Sequence, residues 1–330
     1  MASPWCSQAS AISGIDPVNP AHEAAYVLQQ VLNALQLAAF YLPLSLAFAL
    51  LQAITRRIFL SFGDFAMFGS FAAVYLCFYG LLQGLGDLTS GLAALAAAMA
   101  CGAALGFATA RLAFGATLLR TPLAYMIASL GFGIFLEEAM RLATESRDIW
   151  VPPLFAGQIL LAWNGDFPVH LAAMPALAML ASGLGCGTVF LLLWWTAFGR
   201  AWKAVAESPQ LAALCGIDAT QVAALTFAVS GGLAGITGWT ASISYGGANF
   251  AIGMMAGFKA MFASVVGGFG TLRGAVVGTL VLVATEVLWS ALFSTAYRDA
   301  AVFAVAVAIL VVKPEGVMGG SDRRESEWDR

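Results

Sequence analysis

Three ionisable side chains stand where the sequence is otherwise apolar. Asp64 lies in SFGDFAMFGS, Lys259 in the run 250–272 and Glu286 in the run 274–295. A charge inside hydrocarbon is costly, so it is kept for an ion pair, a proton relay or a solute path. Lys259 and Glu286 have opposite signs and can form a buried pair. Two roles stay open for that pair: a tie between helices, or a group lining or gating a path. Glu137 and Glu138 add acid near one end of the run 121–142. A second polar group is GRAWKAVAESPQLAALCGID, 199–218, which carries Arg200, Lys203, Glu207 and Asp218 between two long apolar runs.

None of these groups forms a catalytic set. G-x-x-x-x-G-K-[ST], G-x-S-x-G, H-E-x-x-H and C-x-x-C are absent, and each of the three Lys is followed by Ala or Pro. The chain therefore carries no P-loop of its own and does not read as an enzyme. His22 and His170 have no metal-ligand spacing, and the five Cys read as small core residues. No cofactor and no metal is expected on this chain. The net charge of −3 and the lack of a basic run argue against nucleic acid.

The elements that position these groups are membrane spans. Hydrophobic residues make up 61% of 330 and charged residues 10%, with a mean hydropathy of +0.86. A soluble domain holds about 25% charged residues. Nine apolar runs stand out, at 28–55, 58–82, 91–113, 121–142, 174–198, 221–243, 250–272, 274–295 and 299–312. The expectation is an all-α polytopic bundle of about 8 to 10 spans, some of them broken or re-entrant.

Positive charge sets an orientation. The first Lys or Arg is Arg56, so residues 1–27 are expected outside and Arg56–Arg57 inside. The loop 83–90 and the long loop around 143–173 then fall outside. Arg111, Arg120, Arg200, Lys203, Arg273, Lys313, Arg323, Arg324 and Arg330 fall inside, and Arg298 falls outside beside Asp299. This gives an extracytoplasmic segment 1–27, one membrane domain 28–313 with a cytoplasmic loop at 199–220, and a cytoplasmic tail 314–330.

Small residues spaced four apart allow helices to pack in lipid. They occur at Gly102/Gly106, Gly183/Gly187, Gly231/Gly235 and Gly253/Gly257. The run 265–278 holds Gly267, Gly268, Gly270 and Gly274, which points to a helix break. Such a break is tolerated only within protein or beside a water-filled path.

The stretch 199–218 reads as two short helices. Ser208 is a suitable N-cap and Pro209 a suitable first residue. Leu211, Leu214 and Cys215 share a face, Gly216 is a natural terminator, and Asp218 caps the next span. So short a helix must pack on something. The choice is between the chain's own surface and a groove on a cytoplasmic partner.

The segment from Gly199 to Gly235, GRAWKAVAESPQLAALCGIDATQVAALTFAVSGGLAG, resembles the cytoplasmic loop and following span of LivH/LivM-type permeases. These are membrane subunits of branched-chain amino acid ABC importers, with urea and amide importers as relatives. The resemblance continues through YGGANFAIGMMAGFKAMFASVVGGFGTLRGAVVGTLVL, YRDAAVFAVAVAILVVKPEGVMG and SFGDFAMFGSF, over about 28 to 320. It implies a type II importer-like fold. The implied partners are a second permease subunit, two cytoplasmic P-loop ATPase subunits that bind ATP and Mg, a periplasmic solute-binding protein, and inner-membrane lipid. It places Arg200, Ala201, Glu207 and Gly216 on the ATPase-coupling loop, and Leu211, on the apolar face of the short helix there, is grouped with them. Asp64 falls on the family's acidic position and Lys259 on the lysine of its G-x-K-A segment. With Glu286, Gly267 and Gly268 they form the expected translocation path. The sequence departs from the family at LSFGDF, in the first span and at Pro209. A second reading stands beside the importer: an ion-coupled transporter or channel using Asp64, Lys259 and Glu286 as a relay.

Overall fold

The computed structural model describes residues 20–84, 86–112, 122–150, 158–164 and 167–318. Its helices are α1 (Pro20–Thr55), α2 (Phe62–Leu82), α3 (Asp87–Leu112), α4 (Pro122–Ala143), α5 (Ala173–Trp195), α6 (Ala197–Glu207), α7 (Pro209–Leu214), α8 (Ala219–Tyr245), α9 (Ile252–Gly267), α10 (Leu272–Leu292) and α11 (Arg298–Val312). Eight helical stretches of the described chain are long and apolar enough to cross a membrane. A helix satisfies its own backbone, which hydrocarbon demands. The fold is the expected all-α membrane bundle.

Two boundaries differ from the sequence reading. The first helix starts at Pro20, so it takes in part of the segment expected to precede it. The seventh run gives only α9, 16 residues, or about 24 Å against a hydrocarbon core of about 30 Å. Gly268 at φ 138° and Gly270 at φ 71° end it, in backbone that L side chains avoid. The expected break in 265–278 is thus the turn joining α9 to α10.

The long helix α8 is the hub. It crosses α3 through glycine on both sides: Gly102 lies against the Gly231 backbone, Gly106 against Phe227, and Gly235 against Ala98. A Cβ at any of these positions would run into the opposing main chain. On its next face Gly238 meets Ala66 and Gly235 meets Gly69 of α2. Gly63 of α2 meets Gly253 and Gly257 of α9. Gly183 and Gly187 behave differently, with nothing within 4 Å. That pair is not a packing seam among the described residues.

The expected long loop around 143–173 carries short strands. β1 (Ile149–Trp150) pairs with β4 (Gly247–Ala248), and β2 (Gln158–Asn164) pairs with β3 (Phe167–Ala172), both antiparallel. The pairing of β1 with β4 puts that loop at the end of the bundle where α8 stops and α9 starts. The opposite end gathers the foot of α1, the stretch 199–218 and the α9–α10 turn. There Arg56 Nη2 donates to the Glu207 carbonyl at 3.4 Å, and Gly270 packs on Ala53. Residues 1–19, Arg120, Asp166 and the tail beyond 318 lie outside the described residues.

Candidate functional site

The stretch 199–218 folds as two capped helices. Thr196 Oγ1 accepts from the Gly199 amide at 3.2 Å and starts α6. Gly199 lies so close to the Leu193 backbone that no side chain fits at the bend. Ser208 Oγ then accepts from the Leu211 amide at 3.4 Å and starts α7. At its end the Gly216 amide donates to Ala213 O and the Ile217 amide to Ala212 O, each at 3.0 Å, with Gly216 at φ 79°. This is a Schellman stop, which satisfies carbonyls that a helix end leaves open. Asp218 Oδ1 accepts from the Thr220 and Gln221 amides and starts α8.

The burial of this stretch splits by face. Trp202, Val205 and Ala212 are buried against Leu46, Ala47 and Leu50 of α1, Leu193 of α5 and Val222 of α8. Ala201 packs at the edge of that cluster. The opposite face is open: Leu211 is 65% exposed, Leu214 84%, and Arg200, Glu207, Cys215 and Gly216 are exposed too. The face expected to be apolar therefore points away from the bundle. Ala212 alone anchors the short helix from its inner side.

The second centre is a cluster of four charges. Lys259 Nζ lies 3.0 Å from Glu286 Oε1 and 2.7 Å from Asp299 Oδ1. Arg298 Nε lies 3.1 Å from Glu286 Oε1 and 3.6 Å from Asp299 Oδ1. The side chains of Lys259 and Glu286 are 6% and 3% exposed, whereas those of Arg298 and Asp299 are 43% and 41%. Lys259 also lies 5.6 Å from the ring centre of Tyr41 on α1, a cation–π arrangement. The expected pair is real but is half of a larger set. The sequence reading puts Arg298 outside the membrane beside Asp299 at the head of the run 299–312, and assigns neither to this cluster. The signal that marks them is an adjacent pair of opposite charges directly heading an apolar run.

Two clefts of about 360 Å³ each flank this cluster and share Phe40, Tyr245 and Arg298. The first is walled by Gln30, Asn33 and Gln36, a polar stripe on α1, with Glu286 and Ser290 opposite. The second reaches Lys259 and Asp299.

Asp64 stands apart. It is buried in the first turn of α2 and lines a cavity of about 20 Å³ with Ser61, Ser129, Gly133 and Glu137. That is room for about one water. No ion pair joins Asp64 to the four-charge cluster among the described residues. Gly267 and Gly268 are buried at the opposite end of α9 from its first turn. There Val317 and Met318 donate to the carbonyls of Val266 and Gly267, and Gly316 packs on Gly268. Neither glycine lines the clefts beside the cluster.

The chain matches the family model described as branched-chain amino acid transport system / permease component over residues 30–312. It is 32% identical over 297 residues to the high-affinity branched-chain amino acid transport system permease protein LivH of Salmonella typhimurium, covering 89% of this chain and 96% of that one. The Escherichia coli K12 protein of the same description is 31% identical over 298 residues, with the same coverage. The permease protein BraD of Pseudomonas aeruginosa is 28% identical over 298 residues, covering 90% and 97%. A match through all eight spans, both capped helices and the four-charge cluster makes this multi-span chain a member of the branched-chain amino acid transport system permease family.

Proposed function

We propose that this chain is the membrane-spanning subunit of an ABC importer in a bacterial inner membrane. Its cargo is a branched-chain amino acid or a similar small amino acid, urea or amide. A second permease subunit completes the channel, and a periplasmic binding protein delivers the solute. Two cytoplasmic P-loop ATPases bind ATP and Mg and supply the energy. The N-terminus lies outside and the C-terminus in the cytoplasm. That orientation rests on Arg56, Arg200, Lys203, Arg273 and Lys313 sharing one end of the bundle. Asp64, Lys259, Glu286, Gly267 and Gly268 are assigned to the transport path or its gating.

The observation that carries the reading is the outward face of α7. Leu211 and Leu214 are large apolar side chains left in water on a helix that is otherwise firmly capped. Exposed apolar anchors of this kind fit a helix-in-groove contact with a partner. Arg200 and Glu207 flank them with charge. The test is Leu211→Glu/Leu214→Glu, with capture of the ATPase subunits in detergent as the readout. Capture should fall at least about tenfold for the loss of two anchors of 1 kcal/mol or more each. Elution of the variant permease should not change, because both side chains are exposed. Undiminished capture overturns the docking assignment.

A further inference from the structure

The small cavity at Asp64 is lined by oxygens that can only accept. Ser61 and Asp64 face it from the head of α2 and Ser129 and Glu137 from α4, and Met254 and Phe258 of α9 close it. Asp64 is 7% exposed, and Ser61 and Ser129 are fully buried. Both hydroxyl protons are committed to main-chain carbonyls. Ser61 Oγ donates to Ser129 O, while Ser129 Oγ donates to Met126 O at 2.8 Å and accepts from the Leu60 amide at 3.1 Å. Each hydroxyl therefore has only lone pairs left for the cavity. The Asp64 carboxylate borders the same space, and no other described residue donates to it; the donor within its reach is its own backbone amide. Glu137, partly buried, adds a second carboxylate.

The basic side chains of the surrounding elements are engaged elsewhere. Arg141 pairs with Glu138 at 2.7 Å, Lys259 with Glu286 and Asp299, and Arg57 lies over the Tyr125 ring. None of them lines the cavity. Two carboxylates at membrane depth without a counter-charge are costly. A water would bond their lone pairs and leave both charges uncompensated. We propose that the cavity binds one sodium ion, held by Asp64 and Glu137 together with the hydroxyl oxygens of Ser61 and Ser129. Hard cations take oxygen ligands. A space of about 20 Å³ admits one water-sized particle. Magnesium keeps several of its own waters and is too large with them. Calcium takes about 6–8 oxygens, more than this set offers once Asp64 Oδ2 is turned against Gly133. The site ties α4 to α2 and belongs to this chain alone, so it stands apart from the question of what drives transport.

The test uses the full chain in detergent at pH 8, with sodium, potassium or choline chloride at equal ionic strength. Melting is followed by fluorescence-detected size exclusion. At ten times its Kd, sodium should multiply the folded-to-unfolded ratio by 1 + [L]/Kd, about elevenfold, and raise the melting temperature by about 3 °C. Potassium and choline should not. Asp64→Asn should lose the shift. Gly133→Ala should lose it too, because its methyl group enters the space beside Asp64 Oδ2 and Ser61 Oγ without changing any charge. Glu138→Gln, exposed on the same helix, should keep it. Scintillation proximity should show saturable binding of radiolabelled sodium to the unaltered chain, displaced by unlabelled sodium and not by potassium. That measurement needs no variant, so a variant that fails to fold does not shelter the idea. The proposal is overturned by absence of saturable sodium binding, by an equal shift with potassium, or by a full shift in Asp64→Asn. It is equally overturned if calcium displaces the label at lower concentration than sodium does, or if acid in choline chloride stabilises the chain while sodium has no effect, which would make the counter-charge a proton.

Discussion

Removing Lys259 and Glu286 together should cost less than removing either alone. Lys259→Met leaves Glu286, 3% exposed, with only Arg298 at 3.1 Å. The cluster then carries a net negative charge in a region with little water. Breaking a buried ion pair from one side costs about 3–5 kcal/mol, and the surviving arginine holds this case near the lower end, about 3. Glu286→Leu leaves Lys259 facing Asp299 at 2.7 Å with Arg298 unneutralised, a net positive cluster of similar cost. Lys259→Met/Glu286→Leu instead removes both buried charges and leaves Arg298 and Asp299, 3.6 Å apart and half exposed. That remnant is neutral, and apolar replacement of a buried pair is near neutral or stabilising. Independent effects would sum to about 6 kcal/mol, whereas the double variant should lose about 1, a coupling of about 5. Heating in detergent followed by fluorescence-detected size exclusion reads this. At about 2 °C per kcal/mol, the singles should melt about 6 °C lower and the double within about 2 °C of the parent. A double variant that loses the sum of the singles would refute the reasoning and make the four charges independent.

Packing and caps give further tests. Gly231→Val places a side chain on the Gly102 backbone, so it should abolish the monodisperse elution peak, while Gly183→Val, with open space around it, should elute like the parent. Ser208→Ala removes the cap of α7 and should cost about 1 kcal/mol. Gly216→Val adds a branched side chain at φ 79° and should cost about 1–2 kcal/mol more. Both α7 variants should lower ATPase capture several-fold without moving the melting temperature of the bundle, since α7 is a peripheral two-turn element; a shift of the whole melt would contradict that placement.

Much of the fold was legible because lipid allows few solutions. Apolar length gives the spans, and α7 was readable residue by residue, since Ser208, Pro209, Gly216 and Asp218 act on the backbone within four positions of themselves. What was not legible depends on where a helix face points. Gly183/Gly187 and Gly231/Gly235 have the same spacing, yet only the second pair meets another main chain. Leu211 and Leu214 share an apolar face that the sequence leaves open between the chain's own surface and a partner; the buried residue is Ala212, on the other side of a helix too short to show its direction. Arg298 and Asp299 sit 12 and 13 positions after Glu286, and only the reversal of the chain through 293–297 returns them to it. No periodicity encodes that return. The shortness of α9 followed from backbone angles at two glycines among many.

One element touches both centres. The 36-residue helix α1 puts Leu46, Ala47 and Leu50 against Trp202, Val205 and Ala212. At its foot Arg56 bonds the Glu207 carbonyl. Further along, Ser45 Oγ bonds Thr279 Oγ1 of α10 at 2.6 Å, and the Tyr41 ring lies beside Lys259. Beyond that, the same helix presents Gln36, Asn33 and Gln30 to the cleft. The short helix α7 packs on α6 and α6 packs on α1, so α1 links this stretch to the charge cluster. The contrast with α8 is instructive. Its glycine seams with α2 and α3 leave no slack for sliding. On the other side of the bundle α1 meets α10 through the Ser45–Thr279 hydroxyl pair and α9 through the Tyr41 ring beside Lys259, while α9 and α10 close on each other through Gly267 against Gly274 and Gly278 against Ala263.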